Sequence, residues 1–283
     1  MRLSNFIFSF LLIITISTST VAGGGWPQKK KKGYFKLGQS FIQGNKFFDR
    51  NGDVVDITTL GVYTTSLYGE YGITDRVTVI AYVPFFVRST INEQVDINSN
   101  VQINPGDEMN AFGDMDLGIK FGLTPNKSIA MSATLILGVP SGEPQGGKSG
   151  ILQSGDGEFN QLVMIDAGKG FNKFYTNVGV GFNNRTNNFS DEFRYTFEIG
   201  YTGWNKLIAT LKVNGIKPLN NDDDTKASPD GIFSNRTEYF SYGPEISYKV
   251  KENFGVTGFA GFAFAAKRIL ATPNFGVGLF YTL

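Results

Sequence analysis

An alternation of apolar and polar residues with a period of two limits what this chain can fold into more than any other feature. Over residues 114–123, one side of an extended strand carries large apolar residues: Met115, Leu117, Ile119, Phe121 and Leu123. The other side carries charged residues and a glycine: Asp114, Asp116, Gly118 and Lys120. A helix would mix the two sets, because its side chains repeat about every 3.6 residues. The same alternation over 76–88 and 193–201 predicts a chain made of β-strands.

Twelve segments are predicted as strands. They are residues 34–43, 58–71, 76–88, 112–123, 129–139, 157–168, 174–183, 193–201, 206–216, 237–250, 254–266 and 274–283. Most are close to the ~9–11 residues that a tilted transmembrane strand needs. The sequence therefore predicts an all-β fold, an antiparallel up-and-down transmembrane barrel of about 12 strands over residues 34–283.

The connections between these strands alternate in length. Short polar turns are predicted at 74–76, 125–127, 171–173, 204–206 and 251–253. Long loops are predicted at 44–57, 89–111, 140–156, 184–192 and 217–236, with a shorter one near 267–273. Short turns at one end and long loops at the other are typical of an outer-membrane barrel, with the long loops outside the cell.

The first 33 residues are predicted to precede the barrel. An apolar run from Phe6 to Ile16 and small residues ending at Ala22 predict a cleaved secretory signal peptide over residues 1–22. This run is shorter than the ~20 residues of a spanning helix. Residues 23–33 are predicted as a solvated leader rich in lysine, and contact of these lysines with lipid headgroups is the alternative. The signal peptide and the strand pattern together predict that the protein is located in the bacterial outer membrane.

Composition argues against catalysis and nucleic-acid binding. The chain has no cysteine and no histidine, and its net charge is +1. Histidine is the most common general base near neutral pH, and nucleic-acid binding normally needs a strong positive charge. We therefore expect no enzyme activity, no cofactor and no nucleic-acid partner. The acidic residues Asp222, Asp223 and Asp224 are predicted as a solvated loop, with Ca²⁺ binding as the alternative.

Residues 142–149 match the spacing G-x-x-x-x-G-K-S of a phosphate-binding loop. Such a loop needs a helix directly after it, because the helix N-terminus holds the phosphates. Here the glycines at 150, 155 and 157 lead into another predicted strand. The segment is therefore predicted as a flexible extracellular loop, with Lys148 facing whatever approaches the pore.

Aromatic residues beside the short turns predict an interfacial girdle: Trp26, Tyr71, Phe171, Phe174, Trp204 and Phe254. Ordinary packing in a soluble sheet is the alternative. The last nine residues alternate in the manner of a terminal strand that the barrel-assembly machinery reads, although Leu283 stands where such strands commonly end in Phe. That machinery and outer-membrane lipid are expected partners.

Charged residues on the polar faces of the strands are predicted to line the lumen: Asp114, Asp116, Lys120, Arg194, Glu198, Lys212, Glu245 and Lys249. A cation facing lipid at the bilayer midplane costs about 2–4 kcal/mol, so these faces must point inward. Three interpretations remain open, of which glycosidase chemistry by paired carboxylates is disfavoured because the sequence shows no substrate cleft. Opposite charges can pair across strands and partly fill the barrel, or they can filter polar solutes.

Four segments together resemble a known family: GYFKLGQSF, LYGEYGITDRVTVIAYVPFF, FGDMDLGIKFGLTPNKSIAMSATLILGVPSGE and SGDGEFNQLVMIDAGKGF. They are similar to XagA-like outer-membrane proteins and to the broader family of transporter barrels named for the phenol-degradation meta pathway. The resemblance implies an outer-membrane barrel that passes small, often aromatic or hydrophobic molecules, and it brings no catalytic motif.

The predicted function is a passive channel for small-molecule solutes without covalent chemistry. The alternative is a structural barrel that anchors or helps export an extracellular polysaccharide, as the resemblance to XagA-like members implies. A soluble secreted β-protein is the third hypothesis.

Overall fold

The computed structural model describes residues 24–96, 98–124, 127–222 and 233–283. The predicted signal peptide, residues 1–22, lies outside them. The described residues form these strands: β1 (Gly33–Phe48), β2 (Val54–Gly72), β3 (Val77–Ile91), β4 (Gln94–Val95), β5 (Gln102–Asn104), β6 (Asp107–Ala111), β7 (Met115–Gly122), β8 (Ala130–Val139), β9 (Asn160–Phe171), β10 (Phe174–Arg185), β11 (Glu192–Tyr201), β12 (Leu207–Pro218), β13 (Glu238–Lys249), β14 (Phe254–Lys267), β15 (Ile269–Leu270) and β16 (Asn274–Thr282).

Twelve of these strands close into one antiparallel barrel: β1, β2, β3, β7 to β14 and β16. Each pairs with its neighbour along the chain, and β16 pairs back onto β1 with Phe35 opposite Tyr281. The short strand β6 extends the line of β7 along β3, and β15 extends the pairing of β1. The predicted twelve-stranded up-and-down barrel is confirmed.

The ends of the barrel differ in the length of their connections. The inner end carries the described residues 73–76, 123–124 and 127–129, 172–173, 202–206 and 250–253, together with both ends of the described chain. The outer end carries the described residues 92–96 and 98–114, 140–159, 186–191, and 219–222 and 233–237. Three of its connections are longer in sequence than any connection at the inner end. The predicted alternation of short turns and longer loops therefore describes most of the barrel.

The predicted long loop over 44–57 is wrong. Strands β1 and β2 stay paired as far as Phe48 opposite Val54, so only residues 49–53 connect them. Asp49 Oδ1 closes this turn by accepting the backbone N–H groups of Asn51, Gly52 and Asp53 at 2.7, 2.9 and 2.9 Å. The polar residues of this stretch therefore belong to a sheet that continues past the apolar belt into water.

The exterior of the barrel is apolar in a way that a water-soluble fold does not tolerate. Leu67, Ile119, Val180 and Val277 are each at least half exposed, at 51, 56, 64 and 57%. Large apolar side chains that stay exposed around a closed ring of strands indicate a lipid-facing surface. The described part of the chain contains no helix that could span a membrane.

Of the six predicted girdle residues, three are exposed at the inner end, Tyr71 and Phe254 are partly buried, and one lies inside the barrel. Phe171, Phe174 and Trp204 are exposed there, and the ring centroid of Tyr201 lies 4.7 Å from that of Trp204. Trp26 lies inside the barrel instead, where its ring contacts Tyr175 edge to face at 6.0 Å. The girdle prediction was therefore wrong for Trp26, because the segment before β1 turns back into the lumen.

Candidate functional site

The interior wall of the barrel is polar where the exterior is apolar. Inward-facing residues of six different strands are less than 9% exposed: Glu70, Thr78, Lys120, Ser132, Asp166 and Asn177. They occupy the positions between the lipid-facing residues of their strands, as the period-two pattern requires. Such a wall needs hydrogen-bond partners inside the barrel, since an unpaired buried polar group costs free energy.

Residues 24–28, which we call the luminal segment, supply many of these partners from the inner end. The N–H of Gly25 donates to Asn177 Oδ1 at 2.8 Å, and Ser132 Oγ donates to the carbonyl of Gly24 at 3.2 Å. The backbone here approaches the wall closely, because a Cβ on Gly25 would lie 2.4 Å from the carbonyl oxygen of Ala130. Strands β8 and β10 therefore hold the start of the described chain inside the barrel.

Gln28 attaches the same segment to strands β2 and β3. Its N–H donates to Thr78 Oγ1 at 2.8 Å, and its Nε2 donates to Glu70 Oε2 at 3.1 Å. Gln28 is only 3% exposed, whereas the residues at 29–32 are exposed. The lysines of the leader are thus exposed, but Gln28 directly in front of them is buried.

Glu70, which accepts the hydrogen bond from Gln28, also contacts two side chains of the barrel wall. It also accepts a hydrogen bond from the hydroxyl of Tyr68 at 2.5 Å, and Lys120 Nζ lies 3.5 Å from its Oε1. Both charged side chains are buried, so each needs the other as its counter-charge. This ion pair fixes the inner part of the wall between β2 and β7.

Residues 140–159, which we call the plug loop, lie at the outer end, where residues 152–155 are buried and most of residues 143–151 are exposed. Ser89, which faces inward on β3, donates to the carbonyl of Gln153. Ser154 Oγ donates to the carbonyl of Phe112 at 2.7 Å, and Leu152 is only 1% exposed. The second half of the loop predicted to be flexible and extracellular is therefore buried at the outer end of the barrel, while Lys148 and its neighbours are exposed.

Asp114 and Arg185 anchor the plug loop. The carboxylate of Asp114 accepts the N–H groups of Gly142 and Asp156, both at 2.8 Å. The guanidinium of Arg185 contacts Glu158 Oε1 at 2.7 Å and Asp156 Oδ2 at 2.9 Å. The guanidinium of Arg185 also lies over the ring of Phe189, with its Cζ 4.5 Å from the ring centroid.

Burial changes the acidity of two of these carboxyl groups, which lie outside the strands at the outer end. Loss of solvent raises the pKa of Asp114 to about 6, although two backbone N–H groups oppose this. Loss of solvent raises the pKa of Glu158 to about 7, against the attraction of Arg185. With the plug loop in this position, both carboxyl groups therefore take up protons at a higher pH than they would in water, and Glu158 does so closest to neutral pH.

A cavity of about 220 Å³ remains in the lumen beside the luminal segment. We call it the luminal cavity. Its charged lining consists of Lys36, Glu198, Lys212, Glu245 and Lys249, and Tyr34, Tyr68, Tyr175 and Phe280 supply its rings. Lys212 Nζ lies 3.1 Å from Glu245 Oε1 and 3.9 Å from Glu198 Oε2.

The structure divides the eight predicted lumen residues into two groups. Four of them line the luminal cavity together: Glu198, Lys212, Glu245 and Lys249. The others lie elsewhere in the interior. Lys120 pairs with Glu70, Asp114 holds the plug loop, Arg194 Nη2 lies 2.6 Å from Glu192 Oε1, and Asp116 is half-buried on the inward face of β7.

Several residues of the site were not predicted from the sequence. Lys36 and Glu70 occupy inward positions of predicted strands, so the same alternation could have identified them. The roles of Gln28 and Trp26 carry no such signal, because residues 24–28 have no strand periodicity.

Two further polar regions lie at the outer end. A cavity of about 720 Å³ is lined by residues that include Tyr63, Arg88, Glu93, Glu108 and Lys148. We call it the outer cavity. Lys148 lines this cavity, and the adjacent Ser149 donates through its N–H and its hydroxyl to Asp107 Oδ2, both at 2.7 Å. The segment with the phosphate-loop spacing is thus hydrogen-bonded to the carboxylate of Asp107.

The acidic loop is only partly described. Asp222 accepts from Arg236 Nε and from Asn235 Nδ2, both at 2.7 Å, while Asp223 and Asp224 lie outside the described residues. Within the described ranges, no group of three or more acidic residues is placed to hold a metal ion.

The fold is similar to several solved outer-membrane structures. An outer membrane channel from Pseudomonas putida F1 gives a TM-score of 0.71 at 14% identity, covering 92% of this chain and 98% of that one. The NanC porin gives 0.51 at 6% identity, with 88 and 100% coverage. The KdgM porin gives 0.50 at 8% identity, with 88 and 99% coverage. At these identities the likeness shows the barrel fold.

Sequence comparison identifies the family. No curated protein matches the chain in sequence. A family profile described as "Putative MetA-pathway of phenol degradation" matches residues 39–277, which is nearly the whole barrel. The closed barrel, its apolar exterior and its polar interior are those of a bacterial outer-membrane protein. This chain belongs to the phenol-degradation MetA-pathway family of outer-membrane barrels.

Proposed function

We propose that the protein is a passive outer-membrane channel for small solutes and performs no covalent chemistry. The observation that carries this proposal is the charged luminal cavity inside a closed barrel whose exterior is apolar. A barrel that served only as an anchor would have no need to keep charged side chains around an internal cavity. Charged and polar lining is also what selects solutes in known pores.

Passage through this barrel requires the luminal segment and the plug loop to move, because they occupy its two ends. The luminal segment contributes no strand to the barrel wall, and side chains of Thr78, Glu70, Ser132 and Asn177 hold it. A hydrogen bond of this kind contributes about 0.5–1.5 kcal/mol net. Displacing the segment therefore costs far less than opening the sheet.

Solute flux into liposomes tests the proposal. We expect vesicles that contain the purified protein to swell in small sugars or amino acids faster than empty vesicles. Flux should increase in the variant Thr78→Ala/Asn177→Ala, which loses two attachments of the luminal segment. Vesicles that stay impermeable with both proteins would show a sealed barrel.

A second candidate function, a structural barrel that holds extracellular polysaccharide, is favoured by the outer cavity. Its volume of about 720 Å³, the ring of Tyr63 and the ion pair of Arg88 with Glu108 at 2.6 Å suit a sugar ligand. Retention of the purified protein on immobilised exopolysaccharide, and its loss in Arg88→Ala, tests this alternative. Equal retention of the variant would contradict it.

We propose two further partners that follow from a location in the outer membrane: lipid and the barrel-assembly machinery. The apolar exterior would contact outer-membrane lipid. The alternating residues of β16 would be read by the barrel-assembly machinery before β16 pairs with β1. Replacing outward-facing Val277 by Asp should reduce the amount of assembled barrel in the outer membrane. Normal assembly of this variant would argue against lipid contact at Val277.

A further inference from the structure

We propose that the luminal cavity binds a small organic anion with an aromatic or apolar body. This inference rests on the proposed channel function and specifies its solute. Four observations carry it: the excess of lysines, the lack of an ion-pair partner within 4.0 Å for two of them, the aromatic wall and the size of the cavity.

The charges of the cavity do not balance. Its lining contains three lysines, Lys36, Lys212 and Lys249, and two carboxylates, Glu198 and Glu245, so the formal charge is 3 − 2 = +1. Both carboxylates already have partners. Glu245 accepts from Lys212 Nζ at 3.1 Å, and Glu198 accepts from the hydroxyl of Tyr175 at 2.6 Å.

Lys36 and Lys249 are the lysines of the cavity that form no ion pair. Among the described residues, no carboxylate oxygen lies within 4.0 Å of either ammonium group, in contrast to Lys212. Both side chains line the cavity from the inner half of the barrel, Lys36 on β1 and Lys249 on β13. An ammonium group in a partly desolvated space attracts an anion strongly, because the local dielectric constant is lower than that of water.

Aromatic rings form the adjoining part of the wall. Tyr34 stacks on Phe280 with centroids 5.8 Å apart, and Tyr68 meets Tyr34 edge to face at 6.3 Å. Phe280 lies flat against the wall because a glycine faces it, since a Cβ on Gly255 would lie 2.4 Å from its ring. The cavity therefore offers cations and ring faces side by side.

One tyrosine hydroxyl is free to bind a ligand. Tyr68 donates to Glu70 and Tyr175 donates to Glu198, but the described residues provide no hydrogen-bond partner for the hydroxyl of Tyr34. A carboxylate held by Lys36 can accept this third donor. The ring or chain of the same ligand would then lie against Tyr34 and Phe280.

The size of the cavity restricts the ligand. Its volume of about 220 Å³ lies below the ~300 Å³ at which pockets for drug-sized ligands begin. One ring with one acidic group fits this space, whereas an oligomer of sugar acids does not. Benzoate is therefore a suitable probe, and benzamide is its neutral control of nearly equal shape.

Trp26 provides a direct readout of binding. The chain has two tryptophans, and Trp26 touches Tyr175, which lines the cavity. In the variant Trp204→Phe, all tryptophan fluorescence comes from Trp26. We expect benzoate to change this fluorescence saturably in detergent solution and to release heat in calorimetry, with benzamide binding at least about tenfold more weakly.

Single variants test the two lysines. In the same background, Lys36→Gln and Lys249→Gln should each weaken benzoate binding about tenfold. Lys36→Arg should bind benzoate nearly normally, which separates charge from folding. Lys251→Gln is the matched control, because Lys251 is exposed in the turn between β13 and β14 and should have no effect.

Three results would overturn the inference: no binding of benzoate in either measurement, equal binding of benzamide, or unchanged binding in both glutamine variants. These results are distinct from a failure of the channel proposal. A protein that conducts but ignores benzoate would contradict the anion site alone, and a protein that binds benzoate in an impermeable barrel would contradict the channel alone.

Discussion

Lys120 Nζ lies 3.5 Å from Glu70 Oε1, and neither side chain is more than 4% exposed. Removing one partner leaves the other as an unpaired buried charge, which costs about 3–5 kcal/mol. We therefore expect Lys120→Met to lower the temperature at which the barrel loses its heat-modifiable migration on gels. The double variant Lys120→Met/Glu70→Gln should recover much of the loss. A single variant as stable as the wild type would contradict this role.

The second prediction concerns the attachment of the luminal segment. Replacing Asn177 by Ala removes the acceptor of the Gly25 N–H, and we expect the segment to leave the lumen more often. In a Trp204→Phe background, acrylamide should then quench Trp26 about twofold more efficiently. Ser241→Ala, which changes an inward residue of β13 away from the segment, is the control. Identical quenching in the background protein and in both alanine variants would show that Asn177 does not hold the luminal segment.

The third prediction is the pH dependence of the plug loop. Once the plug loop leaves Asp114 and carries Glu158 into solvent, the two groups would have their ordinary pKa values of 3.8 and 4.5, against about 6 and about 7 with the loop inserted. Between these values the inserted loop holds more protons than the released loop, so insertion is favoured at low pH and weakens as pH rises from about 4 to about 7.

A spin label at one cysteine can follow this change, because the chain has no native cysteine. Ile151→Cys suits the label, since Ile151 is 56% exposed within the plug loop. We expect label mobility to increase as pH rises, and Asp114→Asn should reduce the dependence. Mobility that increases towards acid pH would have the wrong sign.

The fourth prediction concerns Arg185. Its removal leaves Glu158, Asp156 and Glu192 close together without their shared cation. Arg185→Ala should destabilise the plug loop by about 3 kcal/mol. Lys217→Ala breaks a more exposed pair, with Glu238 at 2.6 Å, and should cost less than about 1 kcal/mol. Hydrogen exchange of residues 150–158 measures the difference. Equal protection in both variants would contradict the anchoring role.

The sequence predicts the barrel well because lipid and lumen impose opposite polarities on successive residues, as Leu117 and Asp116 show. It fails at 44–57, where a sheet in water has the polar composition of a loop. It also fails at Trp26 and Gln28, whose positions depend on residues far away in sequence, such as Thr78, 50 residues from Gln28.

The luminal cavity was predictable only in part. The polar positions of β11, β12 and β13 identify Glu198, Lys212 and Glu245 as inward residues. Which of them meet depends on strand register, which places Glu198 opposite Lys212 and Thr210 opposite Glu245. No local pattern in the sequence predicts this strand register.

Single-channel recording in planar bilayers tests the channel function most directly. We predict brief, small conductance steps for the wild-type barrel, and steps that are larger or open longer in Thr78→Ala/Asn177→Ala, because the luminal segment is less firmly held. A silent bilayer with both proteins, at all voltages and with insertion verified, would contradict the proposal and favour a structural barrel.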